Sequence, residues 1–244
     1  MKRLYILAVG LTFFVSCQAQ PNIKTTNKIE IPQDSKQILK VTTPSWNSRN
    51  GTLQRYEKKD NRWQKVGEPI SIILGRNGLG WGLGLHSVPK DAKYIKKEGD
   101  GRAPAGLFTL NNGFGYEPLD INFSYAVYTR DDHCVDDSNS IWYNKIINNK
   151  EVEKDYNSFE YMKRKDNLYR YGVVVNHNPD AIKYGGSCIF LHIRSGNGKG
   201  TAGCTAMSED KIVKVLKWLK EDKKPLLLQL PIKEMKRVAD DSLK

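Results

Sequence analysis

Apolar residues gather along this chain in short runs divided by polar and glycine-rich breaks, the pattern of a strand-rich domain. Ile38 to Thr43 and Thr52 to Glu57 read as strands, Asp60-Asn61 turns the chain, and Arg62 to Val66 completes a hairpin. Ile70 to Leu74 follows, and then a glycine-rich loop from Gly75 to Gly84 around Trp81. Val173 to Val175 and Cys188 to His192 are apolar and β-prone, as central strands are. One helix is signposted near the end. Ser208 is a candidate N-cap, Glu209 and Asp210 suit the positive end of the helix dipole, and Lys217 and Lys220 suit the negative end. Ile212, Val215, Leu216 and Leu219 recur at helical spacing and give it one apolar face. Pro225 ends that segment, Leu226 to Leu230 reads as a buried last strand, and from Lys233 onward the chain is polar.

One apolar run does not belong to the domain. Leu4 to Val15 follows Lys2 and Arg3, and its twelve residues are fewer than the roughly 20 that span a membrane. A secretory signal has this form. Phe14-Val15-Ser16-Cys17 resembles a bacterial lipobox, with cleavage before Cys17 and lipid on its thiol; the alternative is an ordinary signal cut near Ala19 or Gln20. Two or more acyl chains hold a protein stably on a membrane. The expected organisation is a lipoprotein signal peptide over 1–16, a polar linker over 17–36, one domain over 37–232 and a polar tail over 233–244. The expected location is outside the cytoplasm, membrane-anchored and facing the periplasm or cell wall.

Charge and cysteine content narrow the partners. The net charge of +12 would ordinarily raise nucleic acid. Export argues against it, and an anionic wall polymer or membrane surface fits better. With Cys17 assigned to lipid, Cys134, Cys188 and Cys204 remain, so at least one thiol is unpaired. Cys134 and Cys188 are candidates for a disulfide in an oxidising compartment, the alternative being two buried small side chains. There is no Cys-x-x-Cys pair, and His86, His133, His177 and His192 are scattered, so neither a metal site nor another cofactor is expected. Neither glycine-rich loop ends in Gly-Lys-Ser/Thr, which disfavours a phosphate cradle.

The chemistry concentrates near residue 200. A strand ends on His192, and a glycine-bearing loop returns Cys204, twelve positions later and preceded by Gly203. A lone cysteine is more often core than catalytic. A histidine within reach changes that, because a thiol with a pKa of about 8.5 is only a few per cent thiolate at neutral pH and gains from a base. The helix that begins soon after Cys204 is expected to depress the thiol pKa through its dipole. Gly203 would let substrate approach the backbone, where N–H groups at Cys204 and its neighbours form an oxyanion hole worth about 3 kcal/mol per donor. A backbone carbonyl or Ser195 would orient His192. His133 and His177 read as structural or substrate-lining.

These residues resemble a known family, the L,D-transpeptidase (YkuD/ErfK-type) catalytic domain. The resemblance rests on His192, the Thr201-Ala202-Gly203-Cys204 turn and the following helix. It extends upstream to Glu98-Gly99-Asp100-Gly101-Arg102-Ala103-Pro104-Ala105-Gly106-Leu107-Phe108, Cys134-Val135-Asp136-Asp137, Tyr143-Asn144 and the run from Gly186 to His192, covering about residues 70 to 232. It implies a mainly β fold, a β-sandwich with a C-terminal helix after the catalytic cysteine. It also implies peptidoglycan stem peptides as substrate, a thioester on Cys204, and resolution by a neighbouring stem's amine or by water. Arg194, Ser195, Thr201, Asp136 and Asp137 are the candidate substrate contacts. Many members carry Arg where this chain has Ala206; Arg194 and Arg102 are candidates for its role. Two other classes stay open, a cysteine amidase or protease with the same dyad and a binding-only member.

Overall fold

The computed structural model describes residues 28–196 and 198–243. The signal peptide, Cys17 and the first part of the linker lie outside them. Three long strands open the domain: β1 Gln37–Thr43, β2 Asn50–Lys59 and β3 Arg62–Ile73, joined as an antiparallel meander. Asp60 and Asn61 turn β2 into β3 with φ of 48° and 59°, the left-handed pair that a tight hairpin favours. The two segments expected over 62–66 and 70–74 are one strand. The ladder shifts register between Leu53 and Arg55 instead of breaking, with Gly67 at φ 63° beside the shift.

β4 Leu79–Trp81 then pairs in parallel with β5 Ala103–Gly115, and β6 Tyr125–Val127 lies on the far part of β5. β7 Asp132–Val135, β8 Ile146–Asn148 and β9 Phe159–Tyr161 form a separate small sheet with β7 in the middle. β10 Tyr171–Val175, β11 Phe190–Ile193 and β12 Thr205–Met207 return to the large sheet, followed by α1 Glu209–Trp218 and β13 Leu226–Pro231. The large sheet runs β10-β11-β12-β3-β2-β1-β13-β5-β4, and β10 also pairs with β5. Its two halves therefore face each other across one apolar core, in the mainly β arrangement expected.

Ile38, Leu39, Val41, Leu53, Leu107, Leu227, Leu228 and Leu230 are fully buried, and since neighbours such as Ile38 and Leu39 point to opposite faces, β1 and β13 are covered on both. α1 lays Ile212, Val215 and Leu216 against β10 and β11. Ser208 holds the N-cap position with extended backbone, but its hydroxyl donates to the Asp210 carboxylate instead of capping the helix. The segment after β13, polar by composition, carries Met235, Val238 and Leu243, all buried, and Ile29 bridges to Val238. Three apolar residues among many charges are enough to dock it.

Candidate active site

β11 and β12 lie side by side in parallel, with His192 opposite Ala206. Cys204 stands immediately before β12 and two residues from Ala206, so it projects to the same face as Ala206 and His192. Cys204 and His192 line one cavity of about 180 Å³, together with Glu160, Arg164, Tyr169 and Arg194. A second cavity of about 140 Å³ reaches Cys204 from another direction, lined by Lys96, Glu98, Asp136, Glu160 and Ser187 among others. Glu160, Ala202 and Cys204 belong to both.

The Thr201-Ala202-Gly203-Cys204 turn is held from several sides. The Thr201 hydroxyl donates to the Cys204 carbonyl at 2.6 Å and accepts from the Gly203 N–H at 3.2 Å. The Thr201 backbone is bonded to the end of β3, donating to the Leu74 carbonyl at 2.9 Å and accepting from the Arg76 N–H at 2.9 Å. Thr201 is thus a brace for the turn, and its hydroxyl is already committed. Gly203 is not in the left-handed region. Its need is spatial, since a Cβ there would lie 3.2 Å from the Arg102 carbonyl and 3.3 Å from Ile189. The strained residue is Cys188, at φ 53°. A disulfide to Cys134 and a 3.0 Å bond from its N–H to the Asn144 side chain hold it there. Asn144 in turn donates to the carbonyls of His177 and Asn178 at 2.8 Å. The Tyr143-Asn144 segment therefore staples the loop that leads into β11.

The resting pair is neutral. The Cys204 sulphur accepts the Phe190 N–H at 3.3 Å, and its S–H faces the Cys188 carbonyl at 3.5 Å. Burial pushes the thiol up to about 12, the charge of Glu160 adds to this, and the Phe190 N–H opposes it. Burial drives His192 down to about 4, against the opposing hydrogen bond to Ile193. The His192 Nδ1 lies 2.7 Å from the Ile193 carbonyl. A carbonyl only accepts, so Nδ1 carries the proton and Nε2 is left to receive one. The group that orients His192 is this backbone carbonyl.

Two consequences follow for activation. The helix-dipole expectation is corrected: β12 separates Cys204 from α1, and the effect fades within a helical turn. Burial holds the thiol up and the imidazole down, so both groups rest neutral side by side.

The other expected residues divide. Arg194 and Ser195 line the first cavity, and Asp136 lines the second. Asp137 does not reach the site, because its carboxylate accepts the N–H groups of Asn139 and Asn157 at 3.0 Å and fixes a turn. Arg102 does not replace the missing arginine. It donates to the Leu79 carbonyl at 2.8 Å and lies over the Tyr94 ring at 4.4 Å. His133 is stacked on Phe159 at 3.9 Å, and His177 bonds the backbone of Leu83 and Gly185, so both are structural. Among the described residues, no group of three or more His, Cys, Asp or Glu side chains converges to hold a metal ion.

Sequence reasoning missed Glu98, Glu160, Arg164 and Tyr169. Glu98 accepts hydrogen bonds from the Tyr143 hydroxyl at 2.6 Å and the Ser187 hydroxyl at 2.7 Å. Tyr169 is buried, sets its ring edge-to-face against His192 at 5.2 Å, and donates a short hydrogen bond to Glu160. Both lie in a stretch rich in charge. The one available signal was the Phe159-Glu160-Tyr161 alternation, a carboxylate between two β-prone aromatics.

Comparison with known proteins bears on this geometry. A family model described as the L,D-transpeptidase catalytic domain, YkuD, matches residues 46–228. A solved structure, the helical cell shape determining protein Pgp2 from Campylobacter jejuni, is similar with 14% identity and a TM-score of 0.44. The similarity covers 84% of this chain and 51% of that one, so this chain spans about half of that protein's length. No curated protein matches the chain. The family match takes in both cavities and the strands that carry Cys204 and His192, and the chain belongs to the YkuD family of L,D-transpeptidase catalytic domains.

Proposed function

We propose that this protein transfers acyl groups between peptidoglycan stem peptides, with Cys204 as nucleophile and His192 as base. The carrying observation is that both side chains line one cavity on adjacent strands, with His192 oriented to accept a proton at Nε2. In the first half-reaction the Cys204 sulphur attacks a peptide carbonyl carbon and its proton passes to His192. The C–N bond breaks, and His192 returns the proton to the departing amine. A thioester remains on Cys204. Arg194 on the wall of the first cavity suits the carboxylate end of a stem peptide, whereas Arg164 is paired with the Asp166 carboxylate. In the second half-reaction an amine forms a crosslink, or water gives a trimmed peptide.

Incubation of the full-length protein with purified muropeptides tests this. New 3–3 crosslinks are expected from the wild type and none from Cys204→Ala. Trimmed tripeptides alone would make the protein a carboxypeptidase. Unchanged muropeptides, with no adduct on Cys204, would leave an amidase of another substrate or a wall-binding protein. The membrane anchor is part of the same proposal and rests on Cys17 and the run before it. A lipid-sized mass increment on Cys17 in cells is the expected result, and its absence would favour the ordinary signal peptide.

A further inference from the structure

We infer that Glu160 is the proton acceptor of the thioester-resolving half-reaction, linked to the Cys204 sulphur through the Tyr169 hydroxyl. The inference rests on the acyl-transfer reading above and adds a residue to it. Glu160 is the carboxylate common to the two cavities that meet at Cys204. A group there reaches an acceptor arriving through the second cavity while the acyl group still occupies the first. Tyr169 completes a path. Its hydroxyl donates to Glu160, and both line the first cavity together with Cys204.

The small sheet holds Glu160 at this place. On β9, Glu160 stands directly opposite Cys134 of β7. Cys134 is bonded to Cys188, whose carbonyl faces the Cys204 thiol at 3.5 Å. One covalent brace therefore joins the strand pair that carries the carboxylate to the loop against the nucleophile.

Its surroundings make it a stronger base than a free carboxylate. Burial raises the Glu160 carboxyl above the usual range, and the charges of Asp136 and Glu98 raise it further. The Tyr169 hydroxyl and Arg164 oppose them. Cys204, His192, Lys96, Arg76, Arg194 and Lys199 share the walls of these two cavities, and a third cavity that Glu160 lines adds Arg130, Asp131, Tyr161, Lys163, Lys165 and Asp166. A base matched to the operating pH contributes about 10²- to 10⁴-fold.

The step balances without a further reactant. The acceptor nitrogen attacks the thioester carbonyl carbon, forming the N–C bond. The C–S bond breaks and its electron pair stays on the Cys204 sulphur. The nitrogen loses its proton to Glu160. Tyr169 gives its hydroxyl proton to the sulphur and takes the one held by Glu160. The thiol and the carboxylate are both restored. Water as acceptor follows the same route.

The test separates the half-reactions. Full-length wild type, Glu160→Gln, Glu160→Asp and Tyr169→Phe are mixed with tetrapeptide muropeptides, and the adduct on Cys204 is followed by intact mass. Glu160→Gln removes a charge that opposes the thiolate, so it should form the adduct no more slowly than the wild type and clear it about 10²-fold more slowly. Glu160→Asp should recover part of that loss, and the acid limb of the wild-type clearing rate should vanish in Glu160→Gln. Tyr169→Phe, which leaves the carboxylate in place, should slow clearing as well and carries the test if Glu160→Gln does not fold. Clearing at the wild-type rate in Glu160→Gln, or equal slowing of both half-reactions, overturns the inference alone. No adduct on the wild type overturns the acyl-transfer reading and this inference with it.

Discussion

The two sheets of this molecule are built by different means, and each supplies a different part of the site. The large sheet closes on itself around fully buried Leu, Ile and Val side chains and carries Cys204 and His192 at β11 and β12. The small sheet has strands of three or four residues, mostly half-buried. It is held by the His133–Phe159 stack, a 2.9 Å contact from His133 to the Tyr156 hydroxyl, and the Cys134–Cys188 disulfide. It contributes Glu160, with Asp136 just beyond β7. Cys204 and His192 stand on the large sheet, and the two carboxylates stand on or beside the small one. Phe108→Ala tests the first half of that contrast. Phe108 is fully buried on β5, edge-on to His86 and His177. Truncation should cost about 3–5 kcal/mol in the denaturant midpoint. A loss under 1 kcal/mol would mean that the large sheet is not where the stability lies.

Legibility in the sequence follows the same division. β2, β3 and α1 show in the chain because each buries one face, which leaves a period, and β1, β11 and β13 show as apolar runs because they are buried almost throughout. The Cys204–His192 pair shows because a glycine-flanked cysteine after a strand-ending histidine is a local pattern. β7, β8 and β9 leave no period, since three residues are too few and their partners are aromatic stacks and a disulfide from distant segments. Glu160 and Tyr169 were hidden for that reason, and so was the staple made by Asn144. The pKa of Cys204 runs opposite to the expectation from sequence because burial raises it, and spacing shows neither that burial nor β12 standing between the thiol and α1.

Removing the disulfide tests the second half of the contrast. The bond closes a separation of 54 residues, for which loop-closure entropy gives about 4 kcal/mol and typical proteins show 2–4. Cys134→Ser combined with Cys188→Ser should therefore cost about 2–4 kcal/mol, less than Phe108→Ala. Its effect on the site should be the greater, because Glu160 loses its brace and the Cys188 carbonyl loses its hold beside the thiol. Adduct clearing from Cys204 should slow more in the disulfide-free protein than in Phe108→Ala at a temperature where both are folded. Equal slowing in the two would remove the distinction between the sheets.

Acidification should separate the two regions with the smallest change in the chain, since it alters no residue. His177 and His192, both packed against large-sheet strands, are held down to about 4 by burial. Below their ordinary value of about 6.5 the unfolded chain binds protons that the folded one refuses, so stability falls as pH falls toward 4. At pH 4.5 each should cost about 2.5 kcal/mol relative to pH 7. Glu160 and Asp136 have the opposite sign. Burial raises both carboxyls, so the folded state takes up protons before the unfolded one does, and the small sheet gains as pH falls through their folded values. Urea midpoints from pH 7 to 4.5 should decline, with a shallower slope in His192→Asn, which cannot titrate. Amide exchange at β9, corrected for its intrinsic pH dependence, should show no earlier opening than at β11. Acid opening that begins at β9 would place the weak region of the fold among its carboxylates, and the buried histidines would then not be what limits stability in acid.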